Sequence, residues 1–151
     1  MKKASDRTAY EAALFLLRYR PQSEWELKVK LRRKGYAPGE IEETTEKLRE
    51  ARYLNDEELA ADLFAYYRGN VLCGDAYIQR KLKARGLSVR EHLTEEEERE
   101  KAELAFQKKK AIVPALASNY RRAAGFLLRR GFPPFVVREV LALHMDEPFL
   151  E

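Results

Sequence analysis

Apolar residues recur along this chain at three- and four-residue intervals, and glycines and prolines fall between the periodic stretches. That pattern predicts helices throughout and no strands. A first helix is expected over 5–19, with Tyr10, Leu14 and Leu17 on one face, ended by Pro21. Ser23 and Glu26 form a capping-box pair for a second helix carrying Trp25, Leu27 and Leu31, which stops at Gly35. Pro38 opens a third, reaching about Arg52 through Ile41 and Leu48. Asn55 and Glu58 open a fourth with Leu59, Leu63 and Phe64. Gly69 and Gly74 are expected to bracket a loop, and a fifth helix over 75–85 stops at Gly86. Ser88 and Glu91 predict a short sixth helix. Thr94 and Glu97 predict a long charged seventh holding Ala102, Leu104, Ala105 and Phe106. Pro114 separates it from an eighth that ends at Gly131, and Pro133 with Pro134 starts a ninth carrying Val137, Val140 and Leu141.

Three of these helix ends share a register. Gly35, Gly86 and Gly131 follow one another at steps of 51 and 45 residues. Four residues before each stands Leu31, Leu82 or Leu127. Eight before stands Leu27, Ile78 or Ala123, and one after stands Tyr36, Leu87 or Phe132. Positions −8 and −4 fall on one helical face, and the residue after the glycine can fold back onto it. The pattern is an internal repeat of three helices. The expected fold is therefore all-α, an elongated or curved array of tandem three-helix repeats at 1–53, 54–93 and 94–151.

Composition narrows the chemistry. Of 151 residues, 36% are charged, with a net charge of +4, which permits an acidic partner without requiring one. The only cysteine, Cys73, excludes an internal disulfide and is expected to be inert. Together with His92 and His144 it is too thin a donor set for zinc, so no metal or cofactor is expected. His92 occupies the place of Ile41 and Val137 and is expected to pack half-buried. The run Glu95 to Glu98 reads as a solvated face. Tyr66 and Tyr67 are expected to anchor their helix in the core, with stacking on unpaired bases as the other reading. There is no phosphate loop, nucleophile elbow or paired-histidine helix, so an enzyme is not expected. After Met1-Lys2-Lys3 the apolar run Ala12 to Leu17 is too short for a leader or a membrane span, and a cytoplasmic location follows as an expectation.

The basic residues carry the remaining signal. Lys28, Lys30, Arg32, Arg33 and Lys34 lie on the second helix of the first unit, and Arg80, Lys81, Lys83 and Arg85 on that of the second. Arg121, Arg122, Arg129 and Arg130 lie on that of the third, preceded by Lys108 to Lys110. Helix-dipole stabilisation of C-terminal cations accounts for Lys34, Arg85 and Arg130, but not for Lys28, Arg32 or Arg80. Repeated on the same element, these bases would form a stripe able to track a polyanion or an acidic groove. The third unit departs from this, with Phe126 and Leu128 in place of bases.

The same residues resemble the RecX regulatory proteins. The stretch Arg20-Pro21-Gln22-Ser23-Glu24-Trp25-Glu26-Leu27, with Lys30-Leu31 and Lys34-Gly35-Tyr36, is similar to that family's first-repeat signature. Tyr53-Leu54-Asn55-Asp56-Glu57 and Ala60 resemble its second-repeat opening, followed in order by Arg68, Gly74, Ile78, Leu82 and Arg85-Gly86-Leu87. Leu128-Arg129-Arg130-Gly131-Phe132 resembles its third-repeat ending. Gln22 stands where the family commonly has arginine. The resemblance implies a protein that binds in the groove of the RecA filament and inhibits its ATPase and strand exchange, in a family of which some members also bind DNA directly. A monomer with the RecA filament as partner and single- or double-stranded DNA as a further ligand is expected. Two alternatives stay open. The turn from Gly35 to Pro38 suits a DNA-binding helix-turn-helix, and the array suits an adaptor for some other protein.

Overall fold

A computed structural model describes residues 6–146, and among these the chain forms eight α-helices and no strand. They are α1 (Ala9–Leu17), α2 (Glu24–Arg33), α3 (Pro38–Glu50), α4 (Asp56–Asn70), α5 (Asp75–Ala84), α6 (Glu95–Ile112), α7 (Tyr120–Arg129) and α8 (Pro134–Ala142), with a 3₁₀ turn at Pro114–Ser118 between α6 and α7. The packing groups them into two compact units. One comprises the described part of Met1–Asp62 together with Leu82–Ser88; the other comprises Leu63–Lys81 and the described part of Val89–Glu151.

In the first unit, α1, α2 and α3 close around Ala12, Ala13, Leu27, Leu31, Ile41, Leu48 and Leu54. The expected face residues Tyr10, Leu14 and Leu17 pack around this core, while the small Ala9, Ala12 and Ala13 form its floor. The expected start at Ser5 lies outside the described residues; Thr8 and Glu11 close a capping box before Ala9. Ser23 and Glu26 do the same for α2, as their spacing requires. Pro38 takes the first turn of α3.

In the second unit, α6, α7 and α8 surround Ala102, Ala105, Phe106, Leu127, Phe132, Val136, Val137, Val140 and Leu141. Thr94 and Glu97 cap α6 as expected. The Glu97 carboxylate also receives a two-pronged bond from Arg68, at 2.6 and 2.8 Å. The Arg68 guanidinium, and then the Thr94 amide, hold this carboxyl at about 2. The folded value is below the usual glutamate value of about 4.3, so its stabilisation is complete above about pH 5 and is lost as pH falls toward 2. Urea midpoints measured across that range should fall less steeply in Glu97→Gln than in the parent; parallel curves would remove Glu97 as the cause.

Five expectations need correction. No sixth helix forms. Leu87 to Thr94 is irregular, because Asp75 at the head of α5 captures the segment: its carboxylate accepts from the Leu93 amide at 2.8 Å and lies 2.8 Å from His92 Nδ1. Leu93 is consequently buried, and His92 is exposed rather than packed. Gly69 lies inside α4, so the loop begins only at Val71. Glu98 is not solvated: it is buried and accepts from the Asp75 amide at 3.0 Å, with burial pushing its carboxyl above the usual range. Tyr66 is 55% exposed and anchors nothing, whereas Tyr67 packs edge-on to Tyr77.

The glycine register becomes one local structure made three times. Gly35, Gly86 and Gly131 have φ of 97°, 75° and 89°. In each case the following amide returns to the leucine carbonyl: Tyr36 to Leu31 at 3.3 Å, Leu87 to Leu82 at 2.9 Å and Phe132 to Leu127 at 3.3 Å. That is the Schellman bond. The −8 and −4 residues are all buried.

Candidate partner-binding surface

The expected contact residues separate into groups once their surroundings are known. In the first unit, Arg32 and Arg33 end α2 exposed, beside exposed Lys34, and none of the three has an ion pair among the described residues. Lys83 is likewise exposed and unpaired there. Lys28 differs: Glu42 at 3.1 Å and Glu24 at 3.5 Å neutralise it, and the bond to Glu42 raises its affinity for the proton. Arg85 is turned inward. Its guanidinium bonds Glu26 through two nitrogens, both at 3.0 Å, and the Pro21 carbonyl at 3.0 Å.

In the second unit, Arg80 is exposed, with a long 3.4 Å bond to the Arg129 carbonyl and the Tyr77 ring 5.9 Å away. Arg129 is exposed. Arg121 and Arg122 occupy the first turn of α7, where the helix dipole disfavours cations. Arg130, like Arg85, is engaged within the fold: Nε and Nη2 donate to the Leu72 carbonyl at 3.1 and 3.0 Å, and the guanidinium lies 4.9 Å from the Tyr77 ring centre. Arg85 and Arg130 therefore act as internal clamps, whereas of the expected contact residues Arg32, Arg33, Arg80, Lys83, Arg121, Arg122 and Arg129 are exposed, with Lys34 beside them.

One surface feature has no counterpart among the sequence expectations. Leu104 and Leu143 are 57% and 76% exposed and line an apolar groove between α6 and α8, rimmed by Arg99 and Glu139, which pair at 2.5 Å. Leu104 shares its helix with Ala102, Ala105 and Phe106 but not their buried face. Its phase gave the signal, since it lies between the −2 and +1 positions of that seam. Phe126 packs against the core of this unit, while Leu128 is exposed. Cys73 is buried in the same unit; burial raises its thiol, although Lys101 and Arg130 pull the other way. Among the described residues no group of three or more His, Cys, Asp and Glu side chains is spaced to hold a metal ion. None of their helices is long and apolar enough to cross a membrane.

Fold and surface together define a class: an all-α protein of tandem three-helix repeats, with guanidinium and ammonium groups as its conspicuous exposed chemistry. The sequence pattern of "RecX, first three-helix domain" matches residues 9–48. The regulatory protein RecX of Trichlorobacter lovleyi is 31% identical over 141 residues, which cover 87% of this chain and 92% of that one. That of Geobacillus kaustophilus is 33% identical over 149 residues, covering 90% of this chain and 54% of that protein. The chain thus spans about half the length of the Geobacillus relatives it matches. The crystal structure of RecX from Lactobacillus salivarius superposes with a TM-score of 0.74 at 22% identity, over 89% of this chain and 95% of that one, and so shares its fold. The chain belongs to the RecX regulatory-protein family.

Proposed function

We propose that this protein is a non-catalytic, cytoplasmic regulator that binds the RecA recombinase filament, inhibits its ATPase and strand exchange, and so modulates homologous recombination and DNA repair. In this reading it acts as a monomer of three repeats, at 1–53, 54–93 and 94–151, with DNA as a further contact. Family membership supports a regulatory role. The observation that carries the binding mode is the set of exposed, unpaired cations at the end of α2 and on α5, Arg32, Arg33, Lys34 and Lys83, beside neighbours such as Lys28 and Arg49 that are neutralised internally. Cations left unpaired at a surface are available to an acidic filament surface or to phosphates without first breaking an internal bond.

A helix-turn-helix reading fares worse. The helix after the turn, α3, would have to enter the major groove, yet it exposes Glu40, Glu42, Glu43, Glu46 and Glu50. Carboxylates there would face the phosphates.

ATP hydrolysis by RecA on single-stranded DNA, with and without this protein, tests the proposal. The parent should suppress turnover, and Arg32→Glu with Lys83→Glu should require about tenfold more protein for the same effect. Unchanged turnover at a stoichiometric excess of parent would sink the reading. Equal potency of the double variant would remove these cations from the contact.

A further inference from the structure

Two of the three glycine corners are seated on a helix head, and both in the same way. In the first unit, a Cβ on Gly86 would lie 2.6 Å from Trp25 Cβ. The Arg85 carbonyl there accepts the Ser23 hydroxyl, and the Arg85 side chain grips Glu26 and the Pro21 carbonyl. In the second unit, a Cβ on Gly131 would lie 2.4 Å from the Tyr77 nitrogen. The Arg130 carbonyl accepts the Gly74 amide at 2.8 Å, and the Arg130 side chain grips Tyr77 and the Leu72 carbonyl. Pro21 and Leu72, Ser23 and Gly74, and Glu26 and Tyr77 are each 51 residues apart, the step between Gly35 and Gly86. The dock has fixed parts: a left-handed glycine that lets a helix head come close, through the Trp25 side chain at Gly86 and the Tyr77 backbone at Gly131, a carbonyl that needs a donor, and a cation that reaches the third helical residue.

The corner at Lys34–Gly35 has the same parts, and no described residue is seated on it. Gly35 has φ of 97°, and among the described residues nothing lies within 4 Å of where its Cβ would stand. Among the described residues the Lys34 carbonyl accepts no hydrogen bond, and Arg32, Arg33 and Lys34 have no ion pair. We propose that the Lys34–Gly35 corner is a docking knob for the N-terminal turn of a helix on a partner protein, one with a hydroxyl or free amide donor at its cap and a carboxylate two or three residues into the helix.

The internal docks supply the occupant's chemistry. Ser23 or Gly74 shows the donor that satisfies the carbonyl, and Glu26 shows the acid that meets the cation. The repeat-equivalent heads of a second copy of this chain do not fit. The heads of α2 and α5 are already occupied, and at the head of α7 the register of Glu26 and Tyr77 is held by Arg122, which repels Lys34. Lysine in place of the arginine of the filled corners provides a point charge without the planar fork, as suits a reversible contact. The proposal rests on the regulator reading only for the partner's name.

The test titrates the full chain, labelled with nitrogen-15, with a helix-stabilised peptide of the sequence of residues 21–34. Saturable amide shifts are expected at Lys34, Gly35 and Tyr36. Gly35→Asn should abolish them, since asparagine tolerates the left-handed backbone while its Cβ occupies the approach. Glu26→Lys in the peptide should weaken binding about tenfold. Should Gly35→Asn lower the thermal midpoint, Lys34→Glu takes its place. Cosedimentation with RecA filaments runs in parallel. No shift at these amides at millimolar peptide overturns the knob, whatever the filament does. Shifts at the corner without cosedimentation sustain the knob and remove RecA as its partner. Cosedimentation equal in parent and Gly35→Asn would place the filament contact elsewhere and overturn the knob as its grip.

Discussion

Gly131→Ala is expected to cost roughly 4 kcal/mol of stability, beyond the range of most point changes. Two penalties combine. A left-handed backbone at alanine costs about 1–2 kcal/mol. The added methyl would then stand 2.4 Å from the Tyr77 nitrogen and 2.9 Å from its Cα, both backbone atoms of α5 that cannot swing aside. The opposite side is equally close, since a Cβ on Gly74 would lie 2.2 Å from the Gly131 carbonyl oxygen. Relief would require separating the α7–α8 turn from α5, with loss of the 2.8 Å Gly74–Arg130 bond. Gly35→Ala provides the comparison: it meets the same backbone penalty with no described residue within 4 Å of its methyl and should lose about 1–2 kcal/mol. Urea unfolding followed by circular dichroism measures both. Equal losses would mean that close approach contributes nothing.

Arg130→Ala is expected to lose about 2–3 kcal/mol, the range of charge-assisted hydrogen bonds to a part-buried acceptor. It removes both bonds to the Leu72 carbonyl and the contact with the Tyr77 ring, leaving that carbonyl without its donors. Arg130→Lys should recover only part, because an ammonium lacks the paired, coplanar donors. Arg32→Ala, exposed and unpaired, should stay within about 0.5 kcal/mol of the parent. The same unfolding measurements decide the matter. If Arg130→Ala is as mild as Arg32→Ala, the clamp is not structural and Arg130 returns to the candidate contact surface.

These two arginines show where sequence reading stops. Arg85 and Arg130 each precede the repeat glycine, and so does Lys34. Sequence position groups the three together, and the dipole argument treats them alike. What separates them is whether a helix head lies above the corner. Glu26 is 59 residues from Arg85 and Leu72 is 58 from Arg130, and no local pattern links positions so far apart. The sixth helix failed for a similar reason. Ser88 and Glu91 have capping spacing, but Asp75 draws Leu93 and His92 into an extended segment instead. Glu98 departs in the opposite direction, because the run of four glutamates hides which one turns inward.

The amino-acid sequence by itself determined the helical class, the capping boxes at Ser23 and Thr94, and the three glycine corners with their buried −8 and −4 residues. All of these depend on neighbours within one or two helical turns, where backbone sterics, capping and periodicity act without help from distant residues. Only the tertiary structure decided which cations face outward, which clamp the fold, and that no described residue covers the corner at Gly35. A side chain's availability depends on what the rest of the chain brings to it, and burial, ion pairing and close backbone approach between remote segments are set by packing alone.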